Sequence, residues 1–153
     1  PETGNSILIG SEDPECDPKE WIPNPDEFNR EITDSQWKAQ VYRCMRRIPT
    51  LEEPSRKRGV VDLYDVSDDW LPIYDSTRIK GYYMAIGSSG NQFKNAPIAG
   101  HCMAELIEAC EKGQNHDEDP VQVKTVYTGL TLNMGFYSRN REINPNSSFS
   151  VNG

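Results

Sequence analysis

Four small residues in a row, Gly87, Ser88, Ser89 and Gly90, followed shortly by a single cation at Lys94, are the part of this chain best suited to chemistry. They stand inside GYYMAIGSSGNQFKNAPIAGHCMAELIEACEKG, residues 81–113, between an apolar stretch and a helix opened by Pro97. Glycines let a ligand approach the main chain, and amide groups at a helix N-terminus favour anionic or electron-rich ligand atoms. Binding and polarising a ligand is the chemistry such a set offers. A plain tight turn between a buried strand and a helix accounts for the same residues.

Composition narrows the classes of function. The chain has 153 residues, enough for one core, with 26% charged and 35% hydrophobic residues and a mean hydropathy of −0.74. No apolar run approaches the ~20 residues that span a bilayer. A net charge of −8 argues against nucleic acid as a partner. The basic group Arg46, Arg47, Arg56, Lys57 and Arg58 is small and precedes an acidic run over 62–69, which suits a solvated loop. Cys16, Cys44, Cys102 and Cys110 show no CxxC spacing, and His101 and His116 stand far apart. No metal is expected, and the cysteines read as reduced, mostly buried thiols. The expected compartment is the cytoplasm, or the mitochondrial matrix in a eukaryote.

The elements that must carry the loop follow from periodicity. Thr33 or Asp34 can cap a helix running to about Ile48, with Trp37, Val41, Cys44, Met45 and Ile48 on one face and Pro49 ending it. A second helix, near 97–111, has a stripe of Ile98, Cys102, Leu106 and Cys110 and a stop at Gly113. Strands are expected near 6–10, 59–66, 71–75 and 79–86. Residues 12–25, acidic and carrying four prolines, predict a surface loop. The resulting fold class is α+β, a small mixed or antiparallel sheet with two main helices. The segment 121–141 has no clean period, and 144–153 has too few apolar groups for a core.

The residues 63–75, LYDVSDDWLPIYD, and 81–107 together resemble the C-terminal part of FAD-dependent oxidoreductases of the D-amino-acid-oxidase-like superfamily. Within it they are most similar to the branch of sarcosine oxidase, dimethylglycine dehydrogenase and glycine oxidase. The family patterns are a "YDVTPDxxPIxG" hairpin and "GxxxAxGxSGxGFKxAPxxGxxxAELI". Tyr64, Asp65, Val66, Asp69, Pro72, Gly81, Gly87, Ser89, Gly90, Phe93, Lys94, Ala96, Pro97 and Gly100 match them, with Ala104, Glu105, Leu106 and Ile107. The opening PETGNSILIG also resembles the family's "RPExGxxLLxG" strand pair.

The resemblance implies that Gly87, Ser88, Ser89, Gly90, Asn91, Gln92, Phe93 and Lys94 bind the flavin of FAD. Reduced flavin carries negative charge near N1 and the C2 oxygen, which amides and a helix dipole would stabilise. It implies positioning roles for Lys94, at the flavin edge or a substrate carboxylate, and for Tyr64, on the strand lining the substrate cavity. A surface lysine and a core tyrosine are the plain alternatives. Several relatives attach FAD through a cysteine near Val61 and Asp62, so non-covalent FAD is implied here. Where many relatives have His-Gly, this chain has Asn91-Gln92.

The family's N-terminal Rossmann fold uses GxGxxG to hold the FAD pyrophosphate, and no such motif follows a strand here. The chain is therefore expected to be a fragment of a two-domain FAD oxidoreductase, starting partway through a longer protein. Residues 1–113 would be its C-terminal portion, with substrate-domain strands and helix over 1–80 and the flavin-facing loop and helix over 81–113. Residues 114–153 would be linker and tail. The complete enzyme would oxidise an amine next to a carboxylate, as in sarcosine, dimethylglycine or a D-amino acid, by hydride transfer to FAD. The fragment alone should be inactive and should not retain FAD. Its expected partners are the missing FAD-binding portion, the small amine substrate, and further copies through exposed apolar surface. The alternatives are a non-catalytic binding or assembly module, or a subunit docking on a separate FAD-binding chain.

Overall fold

The computed structural model describes residues 7–10 and 20–151. The expected PETGNS turn, Cys16, Ser6 of the expected first strand and most of the acidic proline loop lie outside them. Two compact units divide between Leu63 and Tyr64.

In the first unit, α1 spans Asp34–Arg47. Thr33 is its cap: the residue is extended, and its hydroxyl accepts the Gln36 amide at 3.3 Å. Arg46 and Arg47 occupy the last turn, where cations suit the helix dipole. Val41 is buried, and Trp37, Cys44 and Met45 are half-buried beside it, whereas Ile48 at the end of the expected stripe is exposed. Lys57 straps the following connection back onto the start of α1, donating to Ile32 O and to Asp34, each at 2.7 Å.

The second unit is α+β. Strand β1 (Ile73–Ser76) pairs antiparallel with β2 (Tyr83–Ile86), Ile73 facing Ile86 and Ser76 facing Tyr83. Pro72 precedes the first strand residue, where its missing N–H breaks no ladder. Thr77 N donates to Tyr82 O at 3.0 Å, and Gly81 takes φ +75°, so the start of the expected strand 79–86 is a hairpin turn. Helix α2 (Ala96–Glu111) packs on β1, and Gly113 ends it at φ +99°, with the Gln114 amide donating back to Ala109 O. No helix among the described residues is long and apolar enough to cross a membrane.

Two of the expected strands do not form. Residues 7–10 carry no strand pairing. Residues 59–66 form no ladder: Val61, Leu63 and Val66 are only half-buried, Val60 is 89% exposed and Tyr64 is exposed too, so the alternation finds no core to cover.

The segment expected to be linker and tail supplies core. Strand β3 (Gln122–Lys124) pairs antiparallel with β4 (Thr131–Asn133), and a 3₁₀ turn, Met134–Tyr137, follows. Val121, Val123 and Met134 are buried with Tyr74, Cys102 and Leu106 in one cluster. Strands of three residues are too short to announce themselves by period, and their apolar groups are spaced by a hairpin instead.

Candidate functional site

The small-residue loop after β2 is a fixed turn rather than a slack one. Gly87, Ser89 and Gly90 take φ of +67°, +49° and +78°. Asp65 holds them there. Its carboxylate Oδ2 accepts the Gly87 amide at 2.8 Å and the Ser88 amide at 3.1 Å, its Oδ1 accepts the Ser88 hydroxyl, and its backbone carbonyl accepts the Ser89 amide at 2.9 Å. Ser89, fully buried, returns its hydroxyl to Gly87 O at 3.2 Å. Burial pulls the Asp65 carboxyl upward, but the Ser88 hydroxyl and the two amides outweigh it and hold the group below the usual carboxylate range.

Glycine at position 90 is required twice. Its φ is left-handed, and a Cβ there would stand 2.7 Å from Tyr64 Cε1. The Tyr64 ring thus lies close against the loop at Gly90, and the residue is 61% exposed. A Cβ at Gly87 would meet Ser67 Cβ at 3.3 Å, so the loop also sits close on the turn that precedes β1.

Asn91 and Gln92 anchor the other end. Gln92 Oε1 accepts the Tyr74 hydroxyl at 2.9 Å and the Asn95 side-chain amide at 3.3 Å, while its Nε2 donates to Asn91 Oδ1. The expected ligand-binding dipeptide therefore spends its side chains on β1 and on its own turn. Phe93 opens a 3₁₀ turn, Phe93–Asn95, and is 98% exposed. Lys94 is exposed on the same turn and has no ion pair among the described residues.

This bonding decides which donors can meet a ligand. The amides of Gly87, Ser88, Ser89 and Asn91 already have acceptors, the last at Ser88 O. At the start of α2 the Ala96 amide donates to Phe93 O, and Pro97 has no N–H. Among the described residues, the amides of Gly90, Gln92, Phe93 and Lys94 have no acceptor. Four amides, the Lys94 ammonium and the α2 dipole are what the loop has left for a ligand.

Charged groups support the turn and strand on which the loop sits, and the partners of Asp69 and Asp75 have no signal in the sequence. Asp69, almost wholly buried, receives Arg141 in a two-pronged pair, Nη2 to Oδ1 at 2.6 Å and Nε to Oδ2 at 3.1 Å. It also accepts the Ser67 hydroxyl at 3.1 Å and the amides of Leu71 and Asn144. Arg141 pulls the Asp69 carboxyl far below the usual range. Asp75, fully buried on β1, takes the Ser138 hydroxyl at 3.0 Å, the Arg139 amide at 2.8 Å and the Arg139 guanidinium at 2.9 Å. His116 lies beside it, Nε2 at 3.7 Å from Asp75 Oδ1, while its Nδ1 accepts the Val121 amide. These pairs tie residues 138–144 to the turn and strand that support the loop. Asp69 stands in the family-like hairpin motif, whereas Arg139 and Arg141 lie in a segment without period that offers no signal of their role.

The family model of FAD dependent oxidoreductases matches residues 1–106, which include Asp65, the loop, Lys94 and most of α2. No curated protein and no solved structure matches the chain. A family match over more than half of the sequence, with the loop and its supporting strands inside it, places this chain in the FAD-dependent oxidoreductase family.

Proposed function

We propose that this chain carries the flavin-facing loop, residues 87–94, of an enzyme that oxidises an amine next to a carboxylate. The support is the family match together with one observation: the loop's unspent donors, the amides of Gly90, Gln92, Phe93 and Lys94 and the Lys94 ammonium, lie within five residues of one another. That donor set fits the carbonyl edge of an isoalloxazine ring, which becomes more negative on reduction. FAD, held non-covalently, would supply the hydride acceptor. A substrate amine would lose a hydride from its α-carbon and a proton from nitrogen, and water would hydrolyse the resulting imine to a carbonyl compound and an amine. Lys94 would hold either the ring edge or the substrate carboxylate, and Tyr64 would position substrate beside the loop. In this reading the AMP half of FAD needs a Rossmann portion that these residues do not contain, so the chain alone would neither retain FAD nor turn over.

One observation favours a second reading, a binding or assembly module that keeps the fold without the chemistry. Four amides over 87–91 are consumed inside the protein, which leaves fewer donors than a glycine-rich loop could present. A single experiment separates the two. The complete open reading frame containing this chain is expressed, and the purified protein is inspected for flavin absorption and assayed anaerobically with N-methyl and D-amino acids. Flavin bleaching by one of these substrates supports the enzyme. A colourless protein that takes up no added FAD supports the module.

A further inference from the structure

Asp65 stands outside the loop yet touches three of its four small residues. Its carboxylate has only acceptors, and the loop presents three donors to it, the Gly87 and Ser88 amides and the Ser88 hydroxyl. No cation pairs with this carboxylate among the described residues. It is exposed, so its charge is not needed to fill or neutralise a buried space. Its bonds fall where the backbone bends: Gly87 and Ser89 have positive φ, and the amides of Gly87, Ser88 and Ser89 all turn inward to Asp65.

We infer that Asp65 is the positioning residue of the flavin site, turning the Gly87 and Ser88 amides inward and so leaving the donors of Gly90, Gln92, Phe93 and Lys94 for the ligand. This rests on the reading of the loop as flavin-facing. Removing the carboxylate frees two amides and lets the turn relax, and the outward donors lose their fixed spacing. A pre-arranged donor set is worth most where ring and donors must meet without reorganisation.

The test compares Asp65→Ala with Asp65→Asn in the protein from the complete open reading frame. Asparagine can place its carbonyl where Oδ2 stands and keep both amides, while its NH₂ donates to the Ser88 hydroxyl oxygen. Two readouts are taken, amide hydrogen exchange over 86–92 and FAD affinity by titration. Asp65→Ala is expected to speed exchange at 87 and 88 and to weaken FAD about tenfold or more, the scale of hydrogen bonds to a charged group. Asp65→Asn should restore both to near the unmutated protein. Should Asp65→Ala cost the fold, Asp65→Ser, too short to span both amides, is expected to give the same two changes.

Unchanged exchange at 87 and 88 without the carboxylate would overturn the role. So would faster exchange with unaltered FAD affinity, because the residue would then be structural only. An unmutated protein that binds no FAD sinks the flavin reading and this role with it. One that binds FAD as tightly with alanine as with aspartate sinks this role alone.

Discussion

Tyr64 and Gly90 share one space: the tyrosine ring lies where a Cβ on residue 90 would stand, 2.7 Å from Cε1 and 2.8 Å from Cδ1. Both ends of the contact are constrained, Tyr64 by its neighbour Asp65, whose carboxylate accepts the Gly87 amide, and Gly90 by its φ of +78°. Gly90→Ala therefore meets backbone strain and a ring at once. We expect a loss of about 2 kcal/mol or more in urea unfolding of the chain. Adding Tyr64→Ala should recover the ring's part and leave the strain. A Gly90→Ala protein as stable as the unmutated one would mean that the ring and loop are not packed as described.

Lys94 separates binding from stability. It is exposed and has no partner among the described residues, so Lys94→Met should change unfolding by less than about 0.5 kcal/mol. If it holds the ring edge or a substrate carboxylate, the same change should weaken FAD or raise KM about tenfold in the complete enzyme. Lys94→Arg, with its charge kept, should recover part of the loss. Equal binding and kinetics in Lys94→Met would assign Lys94 to the surface.

Helices and loop were legible in the sequence to different depths. Thr33, Pro49, Pro97 and Gly113 marked the ends of α1 and α2 because caps and breakers act locally. The strand expected over 59–66 failed for want of partners, a tertiary fact that alternation cannot carry. Gly87 and Gly90 announced a turn, but its anchor did not: Asp65 lies 22 residues before Gly87 and read only as part of a motif. Still larger separations hid the supporting charges. Ser138 and Asp75 meet across 63 positions, and no local signal links them.

The segment 121–134 is the sharpest correction to a tail-like reading, and its weight can be measured. Val123 and Met134 are buried against Leu106, which has no exposed surface at all. Leu106→Ala should cost about 2–5 kcal/mol, the range for deleting a buried aliphatic side chain. Val123→Ala should cost a smaller part of that. Unfolding midpoints unaffected by Val123→Ala would show that β3 does not share the core.

Tyr83 reports on a single contact. Its hydroxyl donates to Glu111 Oε1 at 2.7 Å, and that hydrogen bond, with some desolvation and the glutamate's charge, pushes the phenol up to about 12. Glu111→Gln removes the charge and keeps the shape, so Tyr83 should ionise earlier, closer to the ordinary value of about 10. Ultraviolet titration of tyrosinate in the mutant and parent chains reads this directly. Superimposable curves would show that the pair does not form.

Asp69 and Arg141 give the chain a pH dependence whose sign is fixed by their pairing. Arg141 lowers the Asp69 carboxyl in the folded protein, whereas the unfolded chain restores it to about 3.9. The folded state then binds fewer protons than the unfolded one across that window. Stability from this group is complete above about pH 4 to 5 and drains away as pH falls below the unfolded value. At neutral pH, Arg141→Met leaves Asp69 charged and almost wholly buried with no cation, and should cost about 3–5 kcal/mol. In acid the cost should shrink, because a protonated Asp69 no longer needs the guanidinium. Asp65 is lowered as well, but it is present in both proteins and cancels in the comparison. Urea unfolding of parent and Arg141→Met from pH 7 down to 3 should therefore show two curves converging. Curves that stay parallel to pH 3 would mean that the Asp69–Arg141 pair does not govern the acid limb.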